Sequence, residues 1–250
     1  MRRVSAMSFA GGALVFPGGG VDPLDADPRV PWSGGTVSSL SARLGVDEAQ
    51  TRALVNAAGR ELFEEAGVLL SRSAQDADRA TDRRALEART TSMADLLAAG
   101  HDALDVSRLI PWARWVTPPT EPRRFDTWFF VSPASAGLDA LTASGEADAA
   151  AWYPPAAVLD MAEREVAVVL PPTIVMLRGL LAAGSVTEVL RVAPRRPLAP
   201  VHPLVRENDD GTLSVLGGGE EVVVRGERLV SRNEIRTQDC VRISSSGHWR

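Results

Sequence analysis

Between Asp47 and Gly67 apolar residues return every fourth position, at Leu54, Ala58, Leu62 and Ala66, which places them on one face of a helix. Asp47 is a natural N-cap, and Gly67 stands where a left-handed residue ends such a helix. The pattern predicts a rod of about 30 Å at ~1.5 Å per residue. Ahead of it, Ala13-Leu14-Val15-Phe16 predicts a short buried strand entering a glycine turn at Pro17-Gly18-Gly19-Gly20. From Val21 to about Leu44 the chain is rich in Asp, Pro, Gly and Ser, shows neither a helical nor a strand period, and has Trp32 as its large apolar anchor; it reads as a surface insertion. Residues 68–70 predict a further strand, and 74–100 one or two arginine- and alanine-rich helices with a solvated face. Arg108 to Val116 and Thr127 to Val131 read as strands joined by the loop Thr117–Asp126, followed by helices over about 154–165 and 173–183. From Arg191 onward short strands are expected between glycine turns, including the run Glu221–Arg225. The expected organisation is an α/β domain over 1–190 with an insertion at 21–44, and a β-rich C-terminal extension over 191–250.

Composition narrows the function. A chain of 250 residues that is 45% hydrophobic and 24% charged can build one large core. All 27 basic residues are arginine, and with the abundant alanine this points to a GC-rich bacterial genome. Against 32 acids they leave a net charge of −5, so nucleic acid is not an expected partner. Cys240 is the single cysteine, which rules out an intrachain disulfide and fits a reducing cytoplasm. No apolar run approaches the roughly 20 residues that cross a bilayer, and Gly11-Gly12 breaks the apolar stretch behind Met1-Arg2-Arg3, so neither a membrane span nor a signal peptide is expected.

The segment that carries chemistry is Arg60-Glu61-Leu62-Phe63-Glu64-Glu65-Ala66-Gly67-Val68. On a helix Glu61, Glu64 and Glu65 fall within an arc of about 100°, where their mutual repulsion costs a few tenths of a kcal/mol per pair. A divalent cation reverses that sign, and hard oxygen ligands suit Mg²⁺ or Mn²⁺. Arg60 is placed to pair with Glu64 one turn later. His101, His202 and His248 are scattered without ligand spacing.

This segment, with Phe16-Pro17-Gly18-Gly19 upstream, resembles the second half of the Nudix box, R-E-apolar-x-E-E-x-G-apolar. The resemblance implies an α/β/α sandwich with a mixed sheet and a metal-dependent hydrolase that cleaves the diphosphate linkage of a small nucleoside diphosphate derivative. It implies Arg60, Glu61, Glu64 and Glu65 as catalytic residues, the three glutamates as metal ligands, and Gly18 and Gly19 beside the substrate. Arg123 and Arg124 are candidate phosphate contacts, and Glu146 and Asp148 occupy the region of the family's late acidic residue. The first half of the box departs from the pattern. Arg60 follows Gly19 by 41 positions, against fourteen in the family, and the position eight before the arginine, where the family has glutamate, is Arg52. An insertion inside the box, with Trp115-Val116-Thr117-Pro118, Arg123 to Phe130 and Leu170-Pro171-Pro172-Thr173, is similar to the branch of the peroxisomal coenzyme A diphosphatase, which implies coenzyme A or an acyl-coenzyme A as substrate. The arginine of a separate coenzyme A signature is here Ser8. A nucleotide sugar or ADP-ribose is the alternative substrate, and a non-catalytic binding module the alternative function. The family also has a strand and hairpin ahead of the Phe-Pro-Gly-Gly turn, where only Met1–Val15 stand here. The first strand is therefore expected to be missing, and a start further upstream is favoured.

Overall fold

Local signals set most of the element ends in the computed structural model, which describes residues 2–3, 13–71, 80–118, 124–133, 147–224 and 242–246. β1 (Arg2–Arg3) is followed, past the glycine turn, by a 3₁₀ turn at Pro23–Ala26 whose N-cap Asp22 accepts from Leu24 N at 2.8 Å. After β2 (Trp32–Ser33), the segment expected to be irregular forms α1 (Val37–Leu44), bounded by a Thr36–Ser39 capping box and by Gly45 at φ 71°. α2 (Glu48–Ala66) runs from the N-cap Asp47 to Gly67, at φ 70°, as the spacing of its apolar residues predicts. Then come α3 (Ala80–Glu87), α4 (Met93–Ala99), β3 (Leu104–Asp105), β4 (Ile110–Val116), β5 (Asp126–Pro133) and β6 (Ala147–Ala149). α5 (Pro155–Glu163) and α6 (Pro171–Ala183) each begin on proline, and Ser185 caps α7 (Val186–Val192), a helix not expected from the sequence. β7 (Leu204–Glu207), β8 (Leu213–Gly217) and β9 (Glu220–Val224) form an antiparallel meander, and β10 (Arg242–Ser246) is the last strand.

Two expected strands do not form. Leu14 makes a single bridge to Val169, and the 68–70 run gives way to a single bridge between Ser71 and Leu104, because neither segment finds a neighbour over more than one residue. The expectation of a missing first strand rests on residues that mostly lie outside the described ones; among them β1 pairs antiparallel with β6.

Alternation along β5 decides the layering. β4 and β5 pair antiparallel, Ile110 opposite Val131 and Val116 opposite Asp126, while β10 runs parallel to β5, giving a mixed three-stranded sheet. Trp128 and Phe130 point into a core with Leu54, Ala58, Leu62 and Phe63 of α2. Phe129 and Val131 point the other way, among Val175, Met176 and Leu180 of α6. The sheet is thus covered on both faces, and helix α2 is fixed along one of them.

Gly59 in the middle of α2 sacrifices about 1 kcal/mol of helix propensity, and packing explains it: a Cβ there would lie 2.8 Å from Leu104 Cδ1. The chain after residue 191 packs on the same frame. Val201 N donates to Arg114 O at 2.8 Å, Val116 N donates to Val201 O at 2.9 Å, and Val222 is buried in the cluster of Trp112 and Trp115. Arg43 of α1 reaches across to donate to the carbonyls of Ala193 and Arg196 at 2.9 and 2.6 Å. Among the described residues no single helix is long and apolar enough to cross a membrane.

Candidate active site

The last two turns of α2 meet the glycine turn. Arg60, 3% exposed, uses all five of its N–H groups. Nε and Nη2 donate to Asp25 Oδ1 and Oδ2, both at 2.8 Å; Nη1 donates to Glu61 Oε1 at 2.7 Å and Glu64 Oε2 at 2.8 Å; Nη2 also donates to Gly20 O at 2.9 Å. Arg60 therefore holds the glutamate-bearing helix to the glycine turn, and its principal partner is Asp25 rather than Glu64 alone.

Asp25 is the residue that reading the sequence missed. Counting back from the arginine finds Arg52, whereas the family's spacing counted forward from Gly19 gives six positions and lands on Asp25. The extra residues lie behind this acid, not in front of it. Asp25 is itself built in: Oδ2 accepts from Asp22 N at 2.7 Å, and its carbonyl accepts from Asn56 Nδ2 at 2.8 Å. Asn56 Oδ1 in turn accepts from Trp32 Nε1 at 2.8 Å, and Arg52 lies over the Trp32 ring at 5.1 Å. The Trp32 anchor thus does its work by seating the 3₁₀ turn on α2.

Gly18 N donates to Glu65 Oε2. At Gly19 a Cβ would stand 2.3 Å from Glu61 Oε1 and 2.5 Å from Oε2, so only glycine lets the turn approach that carboxylate. The turn of helix that bears the glutamates is closed from α3: Arg83 Nε donates to Glu64 O at 2.7 Å and to Glu87 Oε1 at 3.0 Å, and Nη2 donates to Glu65 O at 3.4 Å. A cation bonded to the final carbonyls of a helix is favourable there.

Burial pushes the Glu61 carboxyl up to about 7, against the opposing pull of Arg60 and with the repulsion of Glu64 and Asp25 behind it. Burial likewise raises Glu64, with Arg60 and Arg89 opposing. For Arg60 burial acts downward, but its hydrogen bonds to Asp25 and the charges of Glu61, Asp25 and Glu64 outweigh it and hold the group protonated.

Three carboxyl groups share one guanidinium in a buried seam, so acids outnumber the cation that pairs them. Glu64 Oε1 is buried with no hydrogen-bond partner among the described residues. An all-oxygen donor set with more acids than cations and an orphaned acceptor fits Mg²⁺ or Mn²⁺. In their present rotamers Glu61 and Glu64 turn to Arg60 and Glu65 to Gly18, and among the described residues no three acidic, histidine or cysteine side chains already converge as a ligand set.

The other sequence candidates stand elsewhere. Arg124 Nε donates to Thr117 O at 2.9 Å, bracing the β4–β5 loop. Arg123 and Glu146 lie outside the described residues, and Asp148 falls on β6. Arg89, which the sequence did not single out, ends α3 in a left-handed turn at φ 57°, with Arg89 N donating to Leu86 O and Thr90 N to Ala85 O. Glycine is the usual residue at that place; arginine costs about 1 kcal/mol more. Its ion pair to Asp22, 3.3 Å long with the arginine side chain 48% exposed, belongs to a class worth about 0–1 kcal/mol.

A mixed sheet between helices, with the glutamate-bearing helix pinned to a glycine turn, is the Nudix fold. The chain resembles the crystal structure of a NUDIX hydrolase from Alicyclobacillus acidocaldarius with a TM-score of 0.66 and 29% identity, covering 78% of this chain and 88% of that one. It is also 30% identical over 132 residues to a Caenorhabditis elegans protein named "Putative nudix hydrolase 7", a match that takes in 52% of this chain but only 37% of that relative's length. Both likenesses support the Nudix hydrolase family. No protein-family model matches the chain.

Proposed function

We propose that the chain is a metal-dependent hydrolase that cleaves the diphosphate linkage of a nucleoside diphosphate derivative, with coenzyme A or an acyl-coenzyme A as the favoured substrate. The observation that carries this reading is the fully bonded Arg60, which ties the glutamate face of α2 to the glycine turn through Asp25 and Gly20. Asp25 also weakens one ground for a non-catalytic module, the apparent loss of the box's first acid to Arg52.

Glu61, Glu64 and Glu65 would hold Mg²⁺ or Mn²⁺. A divalent ion there supplies neutralisation of the diphosphate charge and a lowered pKa for the attacking water. The chain's own residues do the rest. Arg60 binds one oxygen of Glu61 and one of Glu64, which keeps both carboxyls on the face of α2 beside the glycine turn. Gly18 and Gly19 keep side chains out of the space facing Glu61 and Glu65. Arg83 holds the carbonyls of Glu64 and Glu65 and so keeps the final turn from fraying.

The test is hydrolysis of coenzyme A, ADP-ribose and a nucleotide sugar in Mg²⁺ and Mn²⁺, followed by ³¹P NMR of the products. Conversion of the diphosphate resonances of one substrate into monophosphates is expected. A chain that cleaves none of the three in either metal contradicts the reading.

A further inference from the structure

Arg89 is set in a conformation that its own contacts do not justify. It occupies the left-handed position that closes α3, where glycine is the relaxed choice, and the closing bonds from Arg89 N to Leu86 O and from Thr90 N to Ala85 O are backbone bonds that need no side chain. Among the described residues its one carboxylate contact is the half-exposed ion pair with Asp22, a pair that returns no more than the turn costs. That contact is nonetheless telling in its place. Asp22 is the N-cap of the 3₁₀ turn that delivers Asp25 to Arg60 and stands two residues after Gly20. Arg89 is also close enough for its charge to act on Glu64. A half-exposed guanidinium is therefore held between the turn that carries Asp25 and the carboxyl of Glu64. Unlike Arg60, which is saturated, it retains N–H groups without a partner among the described residues.

We propose that Arg89 is a substrate-binding residue that pairs with phosphate oxygens of the diphosphate, exchanging its Asp22 contact for the substrate. A planar guanidinium suits two such oxygens at once, and its positive charge offsets repulsion between the substrate and the glutamates. The assignment deepens the diphosphatase reading and rests on it.

The experiment uses Arg89→Gly, the residue the turn itself favours, so that folding is not lost. Binding of α,β-methylene-ADP in Mn²⁺ is measured by calorimetry beside the melting temperature, the affinity for Mn²⁺ alone, and the kinetics on the substrate the wild type cleaves. The expected result is a melting temperature unchanged or raised, Mn²⁺ affinity unchanged or raised, and analogue affinity weakened by about tenfold or more. KM should rise in parallel with kcat little altered, and Arg89→Lys should recover part of the loss. Analogue affinity and KM within about twofold of wild type, with hydrolysis intact, overturn the role of Arg89 and leave the diphosphatase reading standing. A wild type that neither binds the analogue nor cleaves a diphosphate overturns both.

Discussion

Replacing Asp25 with asparagine keeps the shape of the side chain and removes the charge that Arg60 grips with two nitrogens. The two side chains are 2% and 3% exposed, so water cannot take over the lost interactions. Breaking a buried pair of this kind costs about 3–5 kcal/mol. Here Glu61 and Glu64 still accept from the guanidinium through Nη1, which places the cost near the lower end, about 3 kcal/mol. In a chain of this size 1 kcal/mol moves the melting temperature by about 2–4 °C, so a fall of roughly 6–12 °C is expected. The control is Arg52→Gln, at the position where the family's acid is sought by counting back from Arg60. Among the described residues Arg52 lies over Trp32, an interaction worth about 0.5–1 kcal/mol, and its loss should be felt by no more than about 4 °C. Thermal unfolding followed by circular dichroism at neutral pH, beside turnover of the same samples, reads both. If Asp25→Asn melts within about 2 °C of wild type, or if Arg52→Gln is the more damaging change, the role given to Asp25 is refuted.

Glu61→Gln should lower kcat by several orders of magnitude with little change in melting temperature, while Glu64→Gln should be milder; steady-state kinetics that find only Glu64→Gln damaging would reverse the assigned roles. Folded Glu61 keeps its proton up to about pH 7 and the unfolded chain loses it near 4.5. The metal-free folded state therefore binds more protons across that window, and stability falls as pH rises through it, by up to roughly 3 kcal/mol, in urea titrations at stepped pH. Mn²⁺ affinity should rise over the same window as the carboxyl gives up its proton, which calorimetry reads as proton release. Gly59→Ala adds helix propensity but sets a Cβ 2.8 Å from Leu104 Cδ1, so overpacking should win and destabilise by about 1 kcal/mol; a stabilised variant would show that Leu104 gives way freely.

What could be read from the sequence was what short-range chemistry specifies. α2 was legible because its period, the Asp47 cap and the Gly67 stop all agree, and the glutamates came with it. The β4–β5 hairpin was legible for the same reason, with aromatic and β-branched runs on either side of a proline turn. α1 was not, because its serines carry little apolar signal and the Thr36–Ser39 box with Gly45 sets its bounds instead. Gly59 had no local explanation, since its reason is Leu104, 45 residues away. Asp25 was hidden by an insertion that breaks the register when counted from one end and preserves it when counted from the other. Arg89 was one arginine among many in a segment that reads as a solvated face, and only its left-handed turn and its contact with Asp22 separate it from the rest.

The central claim is that the glutamate face of α2 performs metal-dependent diphosphate hydrolysis, and its most direct test is turnover of the best panel substrate across a Mn²⁺ titration, for wild type and Glu65→Gln, with a chelated control. The account predicts activity that saturates with metal, vanishes on chelation and falls by several orders of magnitude in Glu65→Gln at an unchanged melting temperature. Turnover that survives chelation, or a Glu65→Gln variant within about twofold of wild type, would contradict it.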